Sequence, residues 1–127
     1  MIMITIDEYM KTHNVPLIAK KEGLSFYISQ WELNVCKLFK CSQYSFDDYY
    51  AAIGKRNRIN DICSKCYVDE ELIEKIKQID TEFILNSSEI EINLLDRLAN
   101  TEDDKNDKWY AFRLLKSRYN EWMKYLV

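Results

Sequence analysis

Residues 69–83, DEELIEKIKQIDTEF, contain the clearest helical pattern in the chain. Asp69 stands directly before this pattern, where an N-cap residue is expected. The apolar residues recur at intervals of four, three and four, and these are Leu72, Ile76, Ile79 and Phe83. Residues at such intervals share one face of an α-helix. The segment therefore predicts an amphipathic helix that buries this face, with Ile76 at its centre.

Similar patterns predict helices on both sides of this segment. Thr5 followed by Glu8 predicts a capped first helix, and Ser45 followed by Asp48 predicts a capped helix that ends near Gly54. Ser88 with Glu91 predicts a further helix through Leu98, although residues 89–93 also alternate as a strand does. The predicted helices cover residues 6–13, about 25–40, 46–54, 59–63, 69–83, 88–98 and about 108–126. Residues 100–107 are predicted as a polar loop.

The composition favours the same fold class. The chain has 127 residues, of which 47% are hydrophobic, but only two glycines and one proline. Sandwiches and barrels need turn residues at short, regular intervals, so this composition argues against them. We expect one all-α domain over residues 1–127, a single compact bundle of six or seven helices.

Few residues are suited to catalysis or to metal binding. The only histidine, His13, lies at the end of a predicted helix, where a capping role is expected. The cysteines are Cys36, Cys41, Cys63 and Cys66, and the last two have the spacing of a zinc or redox pair. No secretion signal or membrane span is predicted, so we expect a cytoplasmic protein with reduced, metal-free thiols, no cofactor and no enzymatic activity.

The charges are unevenly distributed along the chain. Residues 69–107 contain thirteen Asp or Glu and four Lys or Arg, a balance of −9, whereas residues 1–68 and 108–127 have balances of +2 and +4. An acidic surface repels nucleic acids and membranes, and it raises the association rate of a basic protein. Charged outer helix faces are also common in proteins without such a partner. The acids of this segment are Asp69, Glu70, Glu71, Glu74, Asp80, Glu82, Glu89, Glu91, Asp96, Glu102, Asp103, Asp104 and Asp107.

Residues 16–32 offer an alternative interpretation. This stretch resembles the helix-turn-helix of phage repressor-like regulators, in which a glycine makes the turn between two helices. Here Gly23 would make that turn. However, no Lys or Arg occurs between Leu24 and Asn34, and contacts of cations with phosphate supply most non-specific affinity for DNA.

Three short patterns carry a second resemblance. They are Arg56-x2-Ile59-x2-Ile62, Ile76-x2-Ile79-Asp80-x2-Phe83 and Trp109-Tyr110-x2-Arg113. With these patterns the chain resembles small bacterial immunity proteins, which are cytosolic inhibitors encoded beside contact-dependent or other polymorphic toxins. The resemblance implies a helical protein that blocks the active site of a toxin, such as a nuclease.

The charge pattern and the resemblance support one hypothesis. We expect a non-enzymatic inhibitor whose acidic region, rimmed by aromatic residues such as Tyr49, Tyr50 or Tyr110, binds a basic toxin domain, with no nucleic-acid or membrane partner. The alternative is a transcriptional regulator that uses residues 16–32. The predicted partner-binding residues are Tyr50, Asp69, Glu70, Glu71, Glu74, Asp80, Glu82, Glu89, Asp96, Glu102, Asp103, Asp104 and Tyr110.

Overall fold

The computed structural model describes residues 2–127. These residues contain seven α-helices and one two-stranded sheet, joined by 3-10 turns and irregular segments. The helices are α1 (Ile6–Thr12), α2 (Leu17–Glu22), α3 (Leu24–Cys36), α4 (Phe46–Lys65), α5 (Glu70–Leu85), α6 (Glu102–Asp107) and α7 (Tyr119–Met123). Strands β1 (Ser87–Glu89) and β2 (Arg113–Leu115) pair antiparallel, with Ser87 opposite Leu115 and Glu89 opposite Arg113. The predicted all-α class is confirmed, because no larger sheet occurs in residues 2–127.

Helix α3 lies at the centre of the bundle and packs against both α4 and α5. Its Trp31 is fully buried, with its ring 5.1 Å from the ring of Phe83 on α5. Tyr49 of α4 is also fully buried, and its ring lies 5.0 Å from that of Trp122 on α7. This aromatic core joins the central helices to the C-terminal segment. Within residues 2–127, none of the helices is both long and apolar enough to cross a membrane.

Helices α1 and α5 are the two elements that the sequence predicts most directly. The Thr5 hydroxyl accepts a hydrogen bond of 3.1 Å from the Glu8 amide at the start of α1. On α5, Ile76 and Ile79 are buried and Phe83 has no exposed surface. The amphipathic pattern of residues 69–83 therefore faces the core as predicted.

The predicted helix end near Gly54 is wrong, because α4 continues without interruption to Lys65. Glycine costs a helix about 1 kcal/mol relative to alanine, which does not break a helix whose remaining residues bury a continuous face. That face includes Ile53 before the glycine and Ile59 and Ile62 after it, all of them fully buried. Tertiary packing therefore outweighs the local preference of Gly54.

The predicted helix over residues 88–98 is also wrong. Residues 87–89 form β1 instead, and residues 90–100 are mostly irregular. The Ile90 amide donates to the Phe112 carbonyl at 2.8 Å, and the Leu94 amide donates to the Ala111 carbonyl at 2.9 Å. These long-range bonds replace the local bonds of a helix.

The single C-terminal helix predicted over residues 108–126 is replaced by four short elements. A 3-10 turn at Trp109–Phe112 leads into β2, and a second turn at Lys116–Arg118 leads into α7. Tyr110, Ala111, Phe112, Leu114 and Leu115 are all buried. A surface helix turns about half of its residues toward solvent, so it cannot bury five of six consecutive residues. A 3-10 turn followed by an extended strand, both covered by other parts of the chain, can do so.

Two short helices, α2 and α6, differ from the sequence-based prediction. Residues 100–107 were predicted as a loop, but they contain α6, which Thr101 and Asp104 begin with a capping box. Helix α2 was expected only within the helix-turn-helix alternative. It is joined to α3 through Gly23, whose φ of 68° is readily accessible only to glycine.

Candidate functional site

A buried ionic network lies where α3, α4 and α5 meet. The Arg56 guanidinium binds the Asp80 carboxylate through two bonds, from Nε to Oδ1 at 2.9 Å and from Nη2 to Oδ2 at 2.8 Å. The Trp31 indole donates to the same Oδ1 at 3.0 Å. The Arg56 guanidinium carbon lies 4.9 Å from the centre of the Tyr110 ring, within the range of cation–π attraction.

This network joins three short sequence patterns, Arg56-x2-Ile59-x2-Ile62, Ile76-x2-Ile79-Asp80-x2-Phe83 and Trp109-Tyr110-x2-Arg113. Arg56 comes from the first pattern, Asp80 from the second, and Tyr110 with Trp109 from the third. Arg113, also of the third pattern, instead binds the Ser87 hydroxyl at 2.7 Å. The patterns therefore specify the packing of α4, α5 and the C-terminal segment.

Asp80 and Tyr110 were predicted as partner-binding residues, and the structure corrects both assignments. Asp80 is buried, and both of its carboxylate oxygens bind protein groups. Tyr110 has no exposed surface, its hydroxyl donates to Asn57 at 2.6 Å, and burial raises its pKa well above the usual tyrosine value. Tyr49 is equally buried and cannot rim a surface, whereas Tyr50 is 46% exposed. Only Tyr50 of these aromatics can contact a partner.

The remaining predicted acids do not form one continuous surface. One group lies at the start of α5 and consists of Asp69, Glu70, Glu71 and Glu74, all exposed. A helix of sixteen residues is about 24 Å long, so the acids that follow the far end of α5 lie distant from this group. Glu82 is half-buried near that far end, 3.9 Å from the Lys40 ammonium, and exposed Asp96 accepts a bond from the Leu98 amide.

The second group lines a groove between α6, the segment after β1 and the start of β2. We call this the acidic groove. Its cavity measures about 300 Å³ and includes Glu89, Glu91 and Glu102 together with Lys105, Trp109 and Arg113. Asp103 and Asp104 lie on α6 beside it. Tyr50 does not line this groove.

Lys105 and Arg113 hold the acidic groove together. The Lys105 ammonium lies 2.7 Å from a Glu91 oxygen and 3.7 Å from a Glu102 oxygen, and Arg113 Nη1 lies 3.6 Å from a Glu89 oxygen. The bond to Glu91 raises the pKa of Lys105. Neither cation is predicted from the sequence as part of the site. Lys105 is only three residues from Glu102, so its pairing has a local signal, whereas Arg113 meets Glu89 only through the pairing of β1 with β2.

Asp104 plays a structural part in this region. Its carboxylate accepts bonds from the Thr101 hydroxyl at 2.7 Å and from the Thr101 amide at 2.9 Å. These bonds lower the pKa of Asp104. Asp104 therefore starts α6 and so positions Glu102 and Lys105 at the groove.

The helix-turn-helix alternative places α3 as the recognition helix. Such a helix must present an exposed face to the major groove of DNA. Tyr27, Ile28 and Trp31 of α3 are buried against α4 and α5, and the exposed residues include Ser25, Ser29 and Leu33, which carry no charge. This arrangement suits a central packing helix and offers no cation to phosphate.

The cysteines are all free, and they differ in exposure. Cys36 and Cys41 are exposed, Cys63 is half-buried and Cys66 is buried. Cys63 and Cys66 lie at the C-terminal end of α4, and burial raises the pKa of both thiols. A raised pKa disfavours the thiolate that redox exchange or metal binding needs. No group of three or more metal-binding side chains occurs in residues 2–127.

His13 occupies the C-cap of α1. Its Nδ1 atom lies 2.8 Å from the Tyr9 carbonyl oxygen, and its ring stacks on the Tyr9 ring with centroids 3.7 Å apart. The Tyr9 hydroxyl in turn binds Asp61 and Arg58. This cluster fixes α1 against α4.

Comparisons of this chain with protein-family models, with curated proteins and with solved structures find no match.

Proposed function

We propose that this chain is a non-enzymatic inhibitor, an immunity protein, that binds a basic toxin domain through the acidic groove. The observation that carries the proposal is the exposure of the groove's carboxylates. The side chains of Glu89, Glu91 and Glu102 are 86%, 89% and 85% exposed. They are therefore available to a second protein.

The fold does not need these acids for its stability. Ion pairs of well-exposed carboxylates contribute about 0–1 kcal/mol, and each of these glutamates is strongly exposed although its partner is less so, at 28% for Lys105 and 12% for Arg113. The buried Arg56–Asp80 pair stabilises the interior separately. An excess of acids that contributes little to folding fits a role in attracting a positively charged partner.

A toxin nuclease is a suitable partner class. Enzymes that bind a nucleic-acid substrate present Lys and Arg to its phosphates, so their active-site clefts are basic. An acidic protein surface that covers such a cleft competes with the substrate for the same cations. Aromatic residues are enriched among the side chains that contribute most to protein–protein binding. Trp109, which is half-buried and lines the groove, supplies one such side chain. This activity would take place in the cytoplasm, where the toxin meets its substrate.

The experiment that tests this proposal begins with the gene adjacent to the one that encodes the chain. We expect that gene to encode a basic domain that stops growth when expressed alone. Co-expression of the wild-type chain should restore growth, and the two purified proteins should form a stable complex. Lack of rescue by the wild-type chain, or a neighbouring gene that encodes no toxic domain, would refute the proposal. Retardation of promoter DNA by the chain would instead favour the regulator.

A further inference from the structure

A second cavity lies at the opposite end of the two-stranded sheet from the acidic groove. The acidic groove contains Glu89 and Arg113, which form one end pair of the sheet. The second cavity contains Leu115, from the other end pair, and Asn86, which directly precedes β1. It measures about 400 Å³, within the range of small-molecule pockets. We call it the basic cavity.

Three cations line the basic cavity, and the two carboxylates near them lie outside its lining. Lys40, Lys116 and Arg118 belong to its lining, which includes no Asp or Glu. Two acids lie outside the lining, Glu82 at 3.9 Å from the Lys40 ammonium and Glu121 at 3.2 Å from Arg118. The cavity therefore has a local excess of positive charge in a protein whose net charge is −3.

Two of the three cations, Lys116 and Arg118, are held in place by backbone carbonyl groups. Arg118 donates from Nη2 to the carbonyl oxygens of Cys41, at 3.1 Å, and of Ser42, and its guanidinium lies 5.4 Å from the Trp122 ring centre. The Lys116 ammonium donates to the Leu85 carbonyl at 3.1 Å. An ammonium has three donors, so the Lys116 ammonium keeps two for other acceptors. Fixed cations bind an anion without first losing side-chain entropy.

The inner wall of the basic cavity is apolar. Val35, Phe39 and Leu115 line it, and all three are buried residues of the core. Apolar walls with a few fixed polar groups at the mouth are typical of small-molecule sites. An occupant that suits both parts carries a negative group for the cations and an apolar group for the wall.

We propose that the basic cavity binds a small organic anion, a carboxylate or phosphate ester that carries one apolar group. This site is independent of the toxin-binding role, because it involves other residues and the opposite charge. The ligand would contact both residues 40–42 and residues 116–118, two segments that Arg118 already joins through its bonds to the Cys41 and Ser42 carbonyls.

The test is a titration of the ¹⁵N-labelled full chain, followed by amide chemical shifts. Phenyl phosphate and phenylacetate serve as the two anionic probes and distinguish a phosphate from a carboxylate ligand. Inorganic phosphate and benzyl alcohol each supply one half of the expected ligand. We expect saturating shifts at residues 40–42 and 116–118 with at least one anionic probe, and weaker binding of both half-ligands.

A matched pair of variants tests the role of the cavity cations. Lys116→Gln should raise the Kd of the bound probe about tenfold, as expected for loss of a charge-assisted hydrogen bond. Lys124→Gln removes the same charge from an exposed residue outside the cavity and should leave the Kd unchanged. The spectrum of each variant reports whether it is folded. Equal effects of the two substitutions, binding of inorganic phosphate as tight as that of the aromatic anions, or absence of saturation at residues 116–118 would overturn the proposal.

Discussion

Arg56 and Asp80 form a bidentate ion pair in the interior, with only 8% and 12% of their side chains exposed. The pair joins the middle of α4 to the C-terminal half of α5, and Trp31 of α3 donates to the same carboxylate. One carboxylate thus connects the three central helices. The Nη1 atom of Arg56 is buried without a hydrogen-bond partner, and the Tyr110 ring packs against the guanidinium. Removing either charge would leave the other uncompensated.

Asp80→Ala is expected to lower the free energy of unfolding by about 3–5 kcal/mol, because Arg56 then stays buried without a counter-charge. Urea unfolding followed by circular dichroism measures this change. Glu82→Ala, on the same helix but half-exposed, is the control and should cost far less. The double variant Arg56→Met/Asp80→Leu should lose less stability than Asp80→Ala, since it leaves no isolated charge. A loss below about 1 kcal/mol for Asp80→Ala would show that the pair is not a structural centre.

Ile76→Ala tests the amphipathic face of α5. Ile76 is 5% exposed, so its truncation should cost about 2–5 kcal/mol through lost burial and the cavity left behind. Ile84→Ala is a matched control, because Ile84 belongs to the same helix and is 44% exposed. Equal unfolding midpoints for the two variants would contradict the assignment of Ile76 to the core.

The two glycines should respond to alanine with opposite signs. At Gly54 an added Cβ meets nothing within 4 Å, so Gly54→Ala should stabilise α4 by about 0.5–1 kcal/mol. At Gly23 the φ of 68° is strained for alanine and the added Cβ would lie 3.4 Å from Ile6, so Gly23→Ala should destabilise the protein. Thermal unfolding of both variants checks the signs. Destabilisation by Gly54→Ala would indicate that α4 is interrupted there.

How much of this fold the sequence predicts depends on the range of the interactions involved. Helix α5 follows from intervals of three and four residues, and α1 from the side chain of Thr5, because both signals are local. Strand β2 cannot be predicted from a local pattern, because Leu114 of β2 pairs with Ser88 of β1, which is far away in the chain. The spacing of Trp109, Phe112 and Leu115 fits a helix, and the additional burial of Tyr110, Ala111 and Leu114 excludes one.

The candidate site shows the same limit. The excess of acids in residues 69–107 is visible in the sequence, but its division between the start of α5 and the acidic groove is not. That division depends on the length of α5 and on the pairing of Glu89 with Arg113 across the sheet. The burial of Asp80 follows from its partner Arg56, whose position on the adjacent helix no local pattern reveals.

The raised pKa of Tyr9 predicts that the protein loses stability at alkaline pH. Burial and the hydrogen bond to Asp61 raise the pKa of Tyr9 to about 12, from 10.0 for a free tyrosine. Because the folded state favours the neutral phenol, this contribution to stability is complete below pH 10 and is lost as the pH rises toward 12. The difference in unfolding free energy between wild type and Tyr9→Phe should therefore shrink from pH 9 to pH 11.5. Tyr50→Phe, at an exposed position, is the control and should show a smaller pH-dependent change. A constant Tyr9→Phe difference over this range would contradict the assigned hydrogen bond.

The last prediction concerns the toxin partner and compares two groups of acids with equal charge. Replacing Glu89, Glu91 and Glu102 with glutamine removes three charges from the acidic groove, and replacing Asp69, Glu70 and Glu71 with the corresponding amides removes three from the start of α5. Both variants have the same net charge, so any difference between them is due to position. Charges that steer a partner act mainly on the association rate. We therefore expect the groove variant to associate with the basic toxin more slowly than the α5 variant, with a weaker dependence on salt, in stopped-flow or surface plasmon resonance measurements. Added salt should slow the wild-type association in the same way, because screening at physiological ionic strength shortens the reach of the charges to about 8 Å.

Equal slowing by both variants would mean that net charge alone attracts the toxin. No slowing by the groove variant would remove the physical basis for assigning the interface to this groove.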